Sequence, residues 1–412
     1  MRNRNTHAIT GMGAVTPVGI GVSNYWRSLL EGVSGTSCIS RFDASSLPVR
    51  IAAEVKDFTA TDHLPAKLVR ETDIFMHFAL VAAAEALAAS RVEAAPERIG
   101  IVLGTCFSGI ATITETQGLF TANPGMRVSP HFVPKVLGSI AAAQIAMAHG
   151  LRGPCLTVNT ACSSGNDAVG LAAMLLRAGE ADAVVAVGAE SILCPLLVAG
   201  LVQARALSSR NEDPQTASRP FDLDRDGFVI GEGAGAVVLE DLDRARSRGA
   251  DIQAELLGYA SYTDAYHVMA PDPSGKGEVF CMRQALAKAG LAPGDVDYVN
   301  PHGTATKVGD RVETAALKEV FGDHAYRMPI SSTKGATGHM IGAGGVTELI
   351  ACIQAIREGQ VPPTLNYRTP DPDCDLDYVP GRPRFADVRV AMSNAFGFGG
   401  QNACLLVGRH AG

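Results

Sequence analysis

The sequence predicts an α/β fold with buried, largely parallel strands. Short β-rich apolar runs alternate with helical stretches along the chain. Hydrophobic residues make up 47% of the 412 positions and charged residues only 19%, enough for a large core. The length exceeds what one hydrophobic core usually reaches, so two domains or an internal duplication are expected.

Taken in order, residues 99–103 and 155–158 read as strands, with helical spacing over 140–149 between them. A helix is expected over 168–177 and a strand over 183–187. Later come the strand GAVVLED, a long helix over 346–357 and a final strand, NACLLVG. A weak two-fold echo runs through this order. In each half a strand ends in a small-residue turn, a long helix follows, and a strand comes next. The seam falls near Asp251, after the polar stretch RARSRGAD, giving halves of 1–250 and 251–412. Catalytic groups from both halves would then meet at the strand ends, where open α/β sheets form their crevices.

The net charge of −7 argues against nucleic acid as the main partner. The start, MRNRNTHAITGMGAV, has no apolar signal core. The run 191–202 (SILCPLLVAGLV) is too short to span a bilayer and reads as buried packing. A cytoplasmic protein without membrane contact is expected. Nine cysteines without a CxxC pair suggest neither disulfides nor zinc. Cys38, Cys106, Cys155, Cys194, Cys281, Cys352, Cys374 and Cys404 are read as small buried hydrophobes.

Cys162 is different. In CLTVNTACSSGNDAVG a β-rich run leads into a helix starting around Cys162 or Ser163. Unpaired N–H groups and the positive end of the helix dipole would favour thiolate there, so a lowered pKa is expected. A buried structural cysteine is the competing reading of this window alone. Two histidines tip the balance: His302 follows an apolar strand in YVNPHGTATKVGD, and His339 lies with Lys334 in ISSTKGATGHMIGAGG. Neither has metal-ligand spacing, and one cysteine with two imidazoles suggests acyl transfer through a thioester. The loop SNAFGFGGQN, 393–402, offers either a backbone oxyanion donor or a tight bulge before a core strand.

TACSSG, PHGTAT, STKGATGH and NAFGFGG, in this order, resemble the β-ketoacyl-acyl-carrier-protein synthases of the thiolase superfamily. The resemblance extends through ITGMGAVTPVG, SRPFDLDRDGFVIGEGAGAVVLED and SYTDAYHVMAPDP. It implies a duplicated thiolase-like fold in αβαβα layers and a dimer, either homodimeric or paired with a chain-length-factor-like subunit. It also implies that Cys162 takes an acyl chain from acyl carrier protein, and that the N–H groups of Cys162 and Phe398 hold the oxyanion. His302 and His339 would stabilise the enolate left when malonyl-acyl carrier protein loses carbon dioxide. Lys334 with Glu348 would orient that site, Thr304 and Thr306 would support it, and Phe396 and Phe398 would gate it. Phe107 resembles an acyl-channel position, where its ring would shorten the chain or redirect it towards a partner. Lys67, Arg70, Arg127 and Arg205 are candidates for docking the acidic carrier. No redox cofactor and no metal are implied.

Pro301 and Gln401 depart from the housekeeping fatty-acid pattern, and Lys307 with GDRVETAA leans towards type II polyketide ketosynthases, while STKGATGH and GFGG lean towards the fatty-acid type. The chain reads as intermediate, in a type II polyketide or polyene pathway or a fatty-acid pathway. Two other classes stay open: a non-catalytic chain-length subunit, which typically lacks the nucleophile, and a coenzyme A thiolase, which uses a second cysteine near its C-terminus.

Overall fold

In a computed structural model, residues 6–411 are described. The basic start read for targeting, residues 1–5, lies outside them. Nine strands form the spine of the molecule: β1 (His7–Thr16), β2 (Ile99–Gly104), β3 (Cys155–Val158), β4 (Ala183–Glu190), β5 (Gly233–Asp241), β6 (Ala254–Thr263), β7 (Tyr298–Asn300), β8 (Val390–Gly397) and β9 (Gln401–Gly408). The helices that matter here are α1 (Ile74–Ser90), α2 (Gly138–His149), α3 (Ser164–Arg177), α4 (Pro195–Gln203), α5 (Lys276–Ala289), α6 (Lys307–Phe321), α7 (Lys334–Thr337) and α8 (Gly344–Glu358).

The strands hydrogen-bond in the order β7-β8-β9-β6-β1-β5-β4-β2-β3. β1 and β6 pair antiparallel at the centre. Outward from β1, the pairs β1·β5 and β5·β4 are antiparallel, then β4·β2 and β2·β3 are parallel. Outward from β6, β6·β9 and β9·β8 are antiparallel and β8·β7 is parallel, followed by a parallel bridge between Val299 and Ile330. The expected parallel pairing therefore holds at the two ends, while the middle is antiparallel because β1, β5, β6 and β9 bring the two sides together.

Sequence explains the layering. β4 and β5 are continuous apolar runs, AVVAVGAE and GAGAVVLED, buried on both faces. α8 is buried along nearly its whole length and packs between the two sides of the sheet, with α3 beside it. α1, equally apolar, covers β1, β4 and β5 from outside, and its N-cap Asp73 accepts from the Phe75 N–H at 3.2 Å. α5 covers β6 and β9 on the far side. Helices, strands, helices, strands and helices thus stack in five layers.

Two expectations change at the surface. α4 leaves Leu196 64% exposed while Val198 is buried, so the 191–202 run is half surface, because its apolar residues spread around a helix. Cys38 and Cys155 are exposed and Cys106 is half-buried, whereas the other five structural cysteines are buried as expected. Cys155 lies on β3, the last strand of the sheet, which has no further strand to cover its outer side. Among the described residues, no helix is long and apolar enough to cross a membrane.

Candidate active site

Cys162 sits just ahead of α3, whose first helical residue is Ser164, one or two residues later than the sequence suggested. Ala161 holds a left-handed backbone (φ 51), which turns the chain sharply between β3 and the helix. The turn is fixed by its own hydroxyls: Ser164 Oγ donates to Ala161 O at 2.7 Å and accepts from Thr160 N at 2.9 Å, and Ser163 Oγ donates to Thr160 O at 2.8 Å. Asp167, one turn into α3, accepts from Ser163 and from Tyr259 Oη. Thr160, Ser163, Ser164 and Asp167 are thus all occupied in fixing the turn at Cys162.

The thiol itself is buried. Burial pushes its pKa up to about 11, although the Phe398 and Cys162 backbone N–H groups and the Lys334 ammonium pull the other way. The expected lowering is therefore reversed: removal of water outweighs the helix terminus. The Phe398 N–H is delivered by the glycine loop that joins β8 to β9. Gly399 takes φ 80 there, and a Cβ at Gly397 would lie 3.0 Å from the Cys162 nitrogen, so the loop backbone sits directly against the nucleophile.

His302 follows β7. Its N–H and that of Gly303 donate to the two carboxylate oxygens of Glu313 at 2.8 Å each, pinning the loop to α6. His339 follows the short α7 and is clamped by backbone alone: its N–H donates to Val229 O at 2.7 Å and its carbonyl accepts from Gly231 N at 2.8 Å. The two imidazoles meet edge to face with centroids 5.3 Å apart, and the Phe228 ring backs His339 at 5.2 Å. Both ring nitrogens of His339, and Nδ1 of His302, are buried without a protein partner among the described residues. Burial, then the charge of Lys334, holds both imidazoles well below their usual pKa, so they are neutral at neutral pH.

Lys334 is 2% exposed and pairs with Glu348 on α8, Nζ to Oε1 at 2.5 Å. Burial raises the Glu348 carboxyl and Lys334 draws it back.

One cavity of about 430 Å³ joins these parts. Cys162, His302, His339, Thr304, Thr306, Phe396, Phe398 and Arg205 all line it. The Thr304 and Thr306 hydroxyls are 3.3 Å apart, and Phe396 lies 6.1 Å from the His302 ring. Lys334 and Glu348 stand behind the lining. Phe107 does not line the cavity: its ring is 38% exposed, and its N–H donates to the buried Glu190 at 3.1 Å. Lys67, Arg70 and Arg127 are exposed and outside the lining too. Three carboxyls escaped the sequence reading: Glu190, Glu278 and Glu313. GDRVETAA places Glu313 at helical spacing, yet nothing local says that it reaches back to His302.

A buried thiol and two imidazoles share one cavity, an arrangement suited to acyl transfer through a thioester. The β-ketoacyl synthase N-terminal domain matches residues 6–245 and the β-ketoacyl synthase C-terminal domain matches residues 253–368. A 3-oxoacyl-[acyl-carrier-protein] synthase 2 from Coxiella burnetii is 44% identical over 406 residues, covering 97% of this chain and 98% of that protein. The ishigamide ketosynthase/chain length factor structure superposes with a TM-score of 0.89 at 35% identity, covering 98% of this chain and 99% of that one. A type II PKS acyl carrier protein in complex with its ketosynthase bound to the hexaketide gives 0.89 at 32%, with the same coverage. The chain belongs to the β-ketoacyl synthase family.

Proposed function

We propose that Cys162 carries the growing acyl chain as a thioester and that His302 and His339 create the nucleophile that extends it. The chain is a condensing enzyme that works on acyl carrier protein and yields 3-oxoacyl-acyl carrier protein. The acyl group moves from the carrier thioester to the Cys162 sulfur. Malonyl-acyl carrier protein then enters, and its bond to the carboxyl carbon breaks. The electron pair delocalises onto the thioester oxygen, where the two imidazoles donate hydrogen bonds. The enolate carbon attacks acyl-Cys162, the N–H groups of Cys162 and Phe398 hold the oxyanion, and the cysteine sulfur leaves. Lys334 and Glu348 position the histidines, Thr304 and Thr306 line the approach, and Phe396 and Phe398 gate it. The observation that carries this reading is the shared cavity, in which a thiol and unpartnered imidazole nitrogens face the same space.

The repeated pairing outward from β1·β6 favours two halves, residues 1–250 and 251–412, as one duplicated unit. β3 presents an uncovered strand edge, with Leu156 40% exposed, and such an edge suits a second copy or a chain-length-factor-like subunit. Phe107, exposed near that strand, would meet the acyl chain or the partner only in the dimer. Arg205, at the cavity mouth, is the strongest docking candidate for an acidic carrier, with Lys67, Arg70 and Arg127 further out. A thiol nucleophile suits a reducing compartment, so the cytoplasm is the proposed location. A polyketide or polyene pathway is the proposed setting, on Lys307 with GDRVETAA and the departures at Pro301 and Gln401.

The test is intact-protein mass spectrometry with acyl and malonyl carrier proteins, alongside Cys162→Ala. An acyl adduct on the native protein alone, followed by an extended product on the carrier, is expected. Extension by Cys162→Ala at the native rate would overturn the mechanism.

A further inference from the structure

Glu278 is a buried acid of the cavity wall that the reaction above does not use. It lies in the first turn of α5, is 3% exposed, and lines the same cavity as Cys162 and the two histidines. Its Oε2 is buried with no hydrogen-bond partner among the described residues. Such an oxygen costs stability in a folded protein unless something else occupies it. Asp226 and Asp310, also in the lining, each keep one oxygen without a hydrogen-bond partner but lie beside an arginine, Arg210 and Arg225. The two carboxyls that act on Glu278 are engaged. Glu313 accepts from the His302 and Gly303 N–H groups, and Asp264 accepts from Asn402 Nδ2 at 2.6 Å and from the Asp272 N–H.

The charge around it decides what could bind. The groups facing Glu278 are Glu313 from α6, Asp264 from the end of β6 and Cys281 on its own helix, and none is a cation. Burial first, then these neighbours, holds its carboxyl well above the usual range and favours the protonated form, which has an O–H to donate. A neutral acid seeks an acceptor, and a carboxylate is the strongest one available. The extender unit has a thioester carbonyl at one end, which the histidines would take, and a free carboxylate at the other.

We propose that Glu278 Oε2 is the contact point for the free carboxylate of the malonyl unit. This rests on the condensing reaction above and adds to it a means of telling a malonyl thioester from an acetyl one. The hydrogen bond holds the carboxylate while the histidines hold the thioester carbonyl, so the bond to be broken is fixed at both ends. When it breaks, carbon dioxide leaves neutral, the electron pair stays with the enolate, and the proton stays on Glu278.

The experiment compares Glu278→Ala and Glu278→Gln with the native enzyme in two half-reactions: acyl transfer to Cys162, and extension with malonyl-acyl carrier protein. Glu278→Ala is expected to raise the KM for malonyl-acyl carrier protein about tenfold, the loss of one charge-assisted hydrogen bond. Glu278→Gln, which keeps a donor, is expected to recover most of it. Melting temperature supplies a second readout. Removing an unpaired buried acid should leave Glu278→Ala at least as heat-stable as the native protein, so a raised KM cannot be blamed on poor folding. An unchanged KM, or an equal loss in both half-reactions, would overturn the assignment. Failure of the native protein to load Cys162 at all would instead overturn the condensing mechanism on which it rests.

Discussion

Cys162 and the two histidines are held in opposite ways. Around Cys162, neighbours within about one helical turn supply the support: Thr160, Ser163, Ser164 and Asp167 satisfy one another, and Ala161 sets the bend. Around His302 and His339, support comes from other elements, through Glu313 on α6 and the backbone of Val229 and Gly231. His302 Nδ1 and both His339 ring nitrogens are left without a protein partner among the described residues. A nucleophile can be presented by a local motif because it needs one sulfur at one spot. A charge-stabilising pair needs two rings aimed at a third point, and only tertiary structure does that.

The contrast is broken most sharply at the rings and the sulfur. Cys162→Ala should eliminate the acyl adduct and lower condensation by about 10³-fold or more. His302→Ala and His339→Ala should keep the adduct yet lose about 10²–10³-fold in extension. Mass spectrometry of the protein and of the carrier separates the two outcomes, and loss of the adduct in a histidine variant would show that the two regions are not independent.

The next effect is on stability. Glu348→Leu leaves the Lys334 ammonium buried and unpaired, which should cost about 3–5 kcal/mol in denaturant unfolding. Adding Lys334→Met should recover most of that stability while the extension rate stays low. Recovery of activity by the double variant would remove the charge of Lys334 from the mechanism.

A pH profile sharpens the comparison. With the Cys162 thiol pushed up to about 11, acyl loading should rise about tenfold per pH unit through the neutral range, because the thiolate fraction does. Both histidines, held well below 6.5, stay neutral there. Decarboxylation at saturating malonyl-acyl carrier protein should therefore owe them no pH dependence above 6.5. The same depression makes a stability prediction: the unfolded imidazoles take up protons as pH falls through about 6.5 and the folded ones do not, so their contribution to stability declines below that pH. Loading that is flat from pH 6 to 8 would contradict the buried-thiol picture.

The smallest effect belongs to the bend before the nucleophile. Ala161→Val puts a β-branched side chain at φ 51, which should cost about 1–2 kcal/mol and shows in a thermal melt. Ala161→Gly should cost nothing by the same measurement.

Much of the fold could be read from the chain because its elements are strongly patterned. The apolar runs of β4 and β5 and the helical spacing of α3 and α8 each specify one kind of element. The antiparallel middle of the sheet was not legible, since an apolar strand buried on both faces looks the same whichever way its neighbour runs. Cys155 was misread for a related reason: β3 has the composition of a core strand and the position of an edge.

By itself the sequence determined the chemistry on offer: one thiol at a helix start, one histidine after a strand and a second in a small-residue turn, a lysine between them and a glycine loop at the end. Tertiary structure decided how those groups behave. It placed them around one cavity, raised the thiol where a helix terminus alone would lower it, and kept both imidazoles neutral. It also brought Glu313 to the His302 backbone and left Glu278 without a partner. Burial and charge depend on what surrounds a group in space, and those surroundings come from several separate elements, as where the Phe398 backbone meets Cys162.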